Sequence, residues 1–111
     1  EDERKAKIKT FGSGHRSQTA ESLFQNANAH LDCRSASIAK DKGHLDKNVK
    51  RMIEWAEQII IFDKIHLEML VKYYGSDFFY NVKIVDIEDK YQPFEKELVI
   101  LLMQKCQWLL R

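Results

Sequence analysis

The chain has 111 residues, 44% hydrophobic and 32% charged, with a formal net charge of +1. These values belong to an ordinary globular protein and exclude intrinsic disorder, and the length allows one core but not two. No apolar run reaches the roughly 18 residues of a membrane helix, and the opening EDERKAKIK lacks the apolar stretch of a signal peptide. Two cysteines this far apart, Cys33 and Cys106, suit reduced thiols better than a disulfide framework. The expectation is a cytoplasmic protein without membrane contact; its start on Glu1 instead of Met fits a piece of a longer protein.

Charge is unevenly placed. Residues 1–51 hold 11 Lys/Arg against 7 Asp/Glu, and residues 52–111 hold 7 against 10. The N-terminal half is therefore the better face for an anionic partner. Residues 1–16 mix charges and end in Gly12-Ser13-Gly14, which predicts a flexible basic arm with Ile8 and Phe11 anchoring its end. Lys5, Lys7, Lys9 and Arg16 are its candidates for phosphate contact. Residues 17–111 are expected to form a single helical domain.

Ser17 to Ala29 predicts a helix, capped by Ser17 or Thr19, with Glu21 in the first turn and Ala20, Leu23, Phe24 and Ala27 as its apolar stripe. Residues 30–45 are small and polar; a short helix over Arg34–Lys40 would bury Ile38, and Gly43 would end it. From Asp46 to Gly75 the apolar residues Val49, Met52, Ile53, Ala56, Ile59, Ile60, Ile65, Met69, Leu70 and Tyr73 recur at helical steps. Asp46 can cap the start, and Gly75 stands where a left-handed residue ends a helix. The stripe slips between Ile60 and Ile65, where a continuous helix would bury Asp63 at a cost of several kcal/mol. A break at Phe62–Lys64 resolves this, with Asp63 capping a second helix over Lys64–Tyr74.

Phe78, Phe79 and Tyr80 form an aromatic turn. Beyond it Val82 and Ile84 alternate as in a strand, whereas Ile84, Ile87 and Tyr91, with Val85 alongside, fit a helix; the helix is expected because a lone strand has no visible partner. Pro93 suits the first turn of a last helix, with Glu95 and Glu97 at its positive end and Leu98, Leu101, Leu102, Cys106, Leu109 and Leu110 buried. The fold class that follows is all-α, a compact bundle of about four to five helices.

Chemical motifs are sparse: the chain has no phosphate-loop, nucleophile-elbow, HExxH or paired CxxC pattern. His30, Asp32, Cys33 and His44 have spacings a metal could use, but they fall in an indefinite loop, so no metal site is assigned. His15 and His66 read as polar surface or partly packed residues, not catalysts. Trp55 and Trp108 sit at the edges of stripes, where aromatics complete a core or anchor a partner. No catalytic residue and no cofactor are expected, so the chain is not read as an enzyme.

The order of the C-terminal half carries a resemblance. Leu70-Val71-Lys72-Tyr73-Tyr74-Gly75, then Ile87 and Tyr91, then Leu101, Leu102, Trp108 and Leu109 resemble the helix-turn-helix of sigma-factor region 4 and of the lambdoid phage late-gene antiterminators, the antitermination protein Q family. Ile8-Lys9-Thr10-Phe11-Gly12 is similar to an aromatic-glycine signature near the start of such phage proteins. The resemblance implies a phage-type transcription regulator docking on DNA, RNA polymerase or both, with Lys96 and Lys105 joining the arm as nucleic-acid contacts. Three features depart from the pattern: extra residues between Gly75 and Ile87, Glu88 where a small residue closes the motif, and acidic Glu95 and Glu97 where base-reading residues belong. The alternative is a helical interaction module, a phage-encoded inhibitor of a host protein complex or a self-associating homodimer, using Phe78, Phe79, Tyr80 and Trp108.

Overall fold

The computed structural model describes residues 5–12, 15–37, 47–77 and 81–109. Along the chain these form β1 (Ala6–Gly12), α1 (Arg16–Ala27), β2 (Leu31–Ser37), α2 (Lys47–Trp55), β3 (Gln58–Ile61), α3 (Lys64–Tyr74), β4 (Val82–Ile84) and α4 (Lys96–Lys105), followed by a 3-10 turn at Gln107–Leu109. The four strands make one parallel sheet in the order β2-β1-β3-β4. This is an α/β fold, and the expected all-α bundle is wrong.

The correction starts at the N-terminus. Residues 6–12, assigned above to a flexible arm, are a central strand paired with β2 from Ala6↔Leu31 to Gly12↔Ser37 and with β3 from Ile8↔Gln58 to Phe11↔Ile61. Its alternation sends Ile8 into a core formed with Ala20 and Phe24 of α1 and Leu98 and Leu102 of α4. Phe11 goes to the other face, with Ile53 of α2 and Leu70 of α3. Helices therefore cover both faces, as parallel strands require.

β3 explains the largest misreading. Ile59, Ile60 and Ile61, with Phe62 just beyond, are completely buried, and successive residues serve opposite cores. A strand buried on both faces is apolar at every position, so the run imitates one edge of a helical stripe. The helix expected from Asp46 stops at Trp55 and the strand takes over. The break at Phe62–Lys64 is present, and α3 runs over Lys64–Tyr74 as the spacing predicts. Gly75 ends it at φ 85, its N–H donating to the Val71 carbonyl at 2.9 Å. The buried side chains of α3 are His66 and Leu70, however, and Ile65 is 45% exposed.

Residues 82–84 are strand, not helix: β4 finds its partner in β3, from Ile59↔Val82 to Ile61↔Ile84. β2 occupies residues 31–37, and the helix expected over Arg34–Lys40 is absent from its described part. Ile38, Gly43, His44, the Asp46 cap, Ser13, Gly14, Phe78, Phe79, Tyr80 and Leu110 lie outside the described residues. Among the described residues no helix is long and apolar enough to cross a membrane.

Candidate active site

β1 sends the chain out to β2 on one side, and the chain then crosses back so that β3 lies on the other side of β1. In open parallel sheets the crevice beyond the carboxyl ends of two such strands is where ligands bind. Four segments bring residues there: the end of β1 with Thr10 and Gly12, the start of α1 with Arg16 and Ser17, Phe62 and Asp63 after β3, and residues 85–89 after β4.

Arg16 is the centre. It is 1% exposed, and one terminal nitrogen donates to the Ile87 carbonyl at 2.6 Å and lies 2.8 Å from Asp63 Oδ2. The other lies 3.6 Å from Asp89 Oδ2, and the guanidinium carbon is 5.9 Å from the centre of the Phe62 ring. A buried cation is tolerated only when paired and hydrogen-bonded, and here the partners come from two other segments, residues 62–63 and 87–89. The side chains of Asp63 and Asp89 are 36% and 42% exposed, so they form an open rim above a covered guanidinium.

Asp63 precedes α3 without a side-chain cap bond; its carboxylate turns to Arg16 instead. His66, one turn on, is 1% exposed with Nδ1 3.9 Å from Asp63 Oδ2, packed more deeply than the surface or partly packed position expected for it. Thr10 is completely buried and its Oγ1 donates to the Ser17 carbonyl at 3.2 Å, fastening the end of β1 to the first turn of α1. At Gly12 a Cβ would stand 3.3 Å from the Phe62 ring, so the absence of a side chain lets the strand end lie against that ring. The β4–α4 connection is pinned a second time: the Phe94 N–H donates to Thr19 Oγ1 at 3.3 Å, with Phe94 left-handed at φ 60 and 56% exposed.

The other residues singled out from the sequence are dispersed. Lys5 and Lys7 are exposed at the start of β1, whereas Lys9 is 3% exposed, its ammonium 5.5 Å from the centre of the Phe11 ring and its pKa lowered by burial. Lys96 and Lys105 are exposed at opposite ends of α4. Trp108 packs against the core on the α1 side and its Nε1 donates to Gln58 Oε1 at 3.1 Å. Trp55 packs against the opposite core, with the Arg34 guanidinium 4.5 Å over its ring. Cys33 and Cys106 are free and buried, both thiols pushed up to about 12 by burial. Among the described residues no group of three or more His, Cys, Asp or Glu could hold a metal ion.

No protein-family model and no curated protein matches the chain. Solved structures do. The chain is similar to Wzb of Vibrio vulnificus in complex with benzylphosphonate (20% identity, TM-score 0.70, covering 94% of this chain and 97% of that one). It is similar to the tyrosine phosphatase Wzb of Escherichia coli in complex with sulphate (17%, 0.69, 93% and 95%). It also matches a cysteine-to-serine variant of the arginine phosphatase YwlE with a phosphorylated active-site serine (16%, 0.57, 94% and 88%). At these identities the likeness establishes the fold, which is that of small phosphatases.

This overturns the resemblance to antiterminators and sigma region 4, whose helix-turn-helix the parallel sheet replaces. Transcription regulation, docking on DNA or RNA polymerase, and the interaction-module alternative fall with it. The expectation of a chain without chemistry loses its ground too, because the matching structures are enzymes. Of the candidate residues that are described, only Arg16 stands at the crevice. Sequence reasoning misses Thr10 and Asp89, and it marks Asp63 as a helix break and cap, not as a site residue. The available signal was Lys7-Ile8-Lys9-Thr10-Phe11, an alternating strand, followed by glycines and a capped helix, the order of a phosphate-binding strand–turn–helix.

Proposed function

We propose that this protein removes phosphoryl groups from phosphorylated side chains, the phosphoryl group seating beside Arg16 at the carboxyl ends of β1 and β3. The observation that carries this is the buried guanidinium at the first turn of α1, ringed by carboxylates and a carbonyl from other segments. Arginine's planar fork matches phosphoryl oxygens in pairs, and a helix N-terminus adds backbone donors and partial positive charge. An entering dianion displaces Asp63 and Asp89 from the guanidinium and leaves them placed to move protons.

The matching structures support the reading. Two hold a phosphonate or sulphate, tetrahedral anions like a phosphoryl group. In the YwlE variant the substituted residue is the seventh, near the N-terminus, the region this chain uses for β1. The hydroxyl at that end of β1 is Thr10, six positions before Arg16. Since the matches include tyrosine and arginine phosphatases, both phosphotyrosine-like and phosphoarginine substrates belong in the test. A reducing, cytoplasmic setting is part of the same proposal, supported by the two free thiols.

The test is release of p-nitrophenol from p-nitrophenyl phosphate, and of arginine from phosphoarginine. Arg16→Ala and Arg16→Lys should each reduce release at least tenfold. A folded wild-type chain that releases neither product, and whose Tm is not raised by inorganic phosphate, would end the proposal.

A further inference from the structure

We infer that the phosphoryl group is transferred to Thr10 Oγ1 and held there, so that the chain takes up one phosphoryl group instead of turning over; this rests on the reading of Arg16 just given. β1 points Thr10 to the same face as Ile8, toward α1, and the hydroxyl lies against the first turn of that helix, within hydrogen-bond distance of the Ser17 carbonyl. Arg16, the residue before Ser17, supplies the guanidinium. Thr10 is thus a buried hydroxyl held near the carboxyl end of a central strand, against the first turn of the helix that carries Arg16.

The step balances without a co-reactant. A bond forms between Thr10 Oγ1 and phosphorus, and the bond from phosphorus to the substrate's leaving oxygen breaks. The hydroxyl proton leaves Oγ1 and ends on the departing oxygen, with Asp63 and Asp89 the carboxylates beside the guanidinium available to relay it. A phosphomonoester and a protein hydroxyl become a phosphothreonine and an alcohol.

The second half of a phosphatase cycle is where this chain stops. Water would have to expel Oγ1 as an alkoxide, whose parent alcohol is a far weaker acid than the phenol released in the first step (about 10 for tyrosine) or than a thiol (about 8.5). A thiol nucleophile leaves readily, and a threonine does not. The two cysteines cannot relieve the block. Cys33 is in β2 and Cys106 follows α4; both are in the core with Phe24 and Leu102, and burial raises both thiols.

The experiment uses the full chain with p-nitrophenyl phosphate, reading p-nitrophenol together with intact mass and the site of modification. Wild type should give a burst stoichiometric with protein and then stop, gaining the mass of one phosphoryl group on Thr10. Thr10→Ser should keep the burst, Thr10→Val should lose burst and mass gain, and Thr10→Cys should turn over continuously. A Tm rise with inorganic phosphate in Thr10→Val shows that this variant is folded with its anion site in place.

Continuous turnover by wild type, equal release by wild type and Thr10→Val, or a phosphoryl group on another residue would overturn the inference. So would a wild type that phosphate stabilises but that releases no p-nitrophenol, a site that binds without transfer. Those outcomes leave Arg16 as the phosphate site. Loss of the phosphate-induced Tm rise in wild type itself would remove the underlying reading.

Discussion

A buried guanidinium ties three segments of this molecule to one another, and its removal should be felt in stability. Taking away Arg16 leaves the Ile87 carbonyl without its 2.6 Å donor and Asp63 and Asp89 without the cation between them. Breaking a buried pair from one side costs about 3–5 kcal/mol. Arg16→Ala should therefore lower the unfolding free energy by that amount, read as a lower urea midpoint with the slope unchanged, and Arg16→Lys, which keeps the charge but not the fork, by about 1–3 kcal/mol. A loss under about 0.5 kcal/mol in Arg16→Ala, the size of an ordinary surface substitution, would mean these contacts do not hold in solution. The sequence showed half of this arrangement. Asp63 stood out because a helix through it would bury a carboxylate, and that argument located the break correctly. Its partner lies 47 positions away, and no local pattern connects the two. Arg16 was grouped with arm lysines because charge counting ignores which of several cations the fold covers.

Helices and strands differed in how far they could be read. α1, α3 and α4 carry their reasons locally, in apolar steps of three and four and in a neighbour such as Gly75; Pro93, expected in the first turn of the last helix, stands instead in the turn before α4. Strands here are defined by partners: β1 finds its own at residues 31–37 and 58–61, and β4 finds one in β3. Val82 and Ile84 did show alternation, but three residues without a visible partner could not outweigh a helical pattern. β2 shows how an element is completed from outside itself. At its outer edge, Gln25 of α1 donates to the Leu31 carbonyl at 2.5 Å and accepts the Cys33 N–H at 2.9 Å, while Glu21 accepts the Ser35 N–H at 2.9 Å. These two side chains, four apart on one helix face, take hydrogen-bonding places at an edge where no strand pairs among the described residues. Gln25→Ala should speed amide exchange at Cys33, leave Ser35 protected through Glu21, and cost about 1–3 kcal/mol for the orphaned pair. Unchanged exchange at Cys33 would show that water already serves that edge.

At the scale of the whole molecule, the sheet gathers Arg16, Asp63 and Asp89 at one end and buries its thiols in the core, and the second fact sets how stability responds to pH. Both thiols titrate near 12 in the folded chain against 9 for an unburied thiol, because burial disfavours the thiolate. A folded pKa raised above the unfolded value contributes stability that is complete below pH 9 and is lost as pH rises from 9 to 12. At about 1.4 kcal/mol per pH unit for each thiol, the loss amounts to a few kcal/mol apiece, a large share of the roughly 5–15 kcal/mol that holds a small domain together. Lys9 acts in the opposite direction. Burial holds its folded pKa below 10.5, the unfolded chain binds the proton more tightly, and its contribution rises with pH through the lower part of the same window. Two thiols outweigh one lysine, so the wild type should lose stability steeply above about pH 9. The double substitution Cys33→Ala with Cys106→Ala lowers stability near neutrality through the lost packing, yet its pH curve should be flatter. With the thiols gone, the Lys9 term should make that curve level or slightly rising toward pH 10.5. Urea titrations of the two proteins from neutral pH upward give the slopes directly, free of the packing offset. Parallel slopes would mean that the thiols are open to water and that the two cores around the sheet are less closed than their side chains indicate.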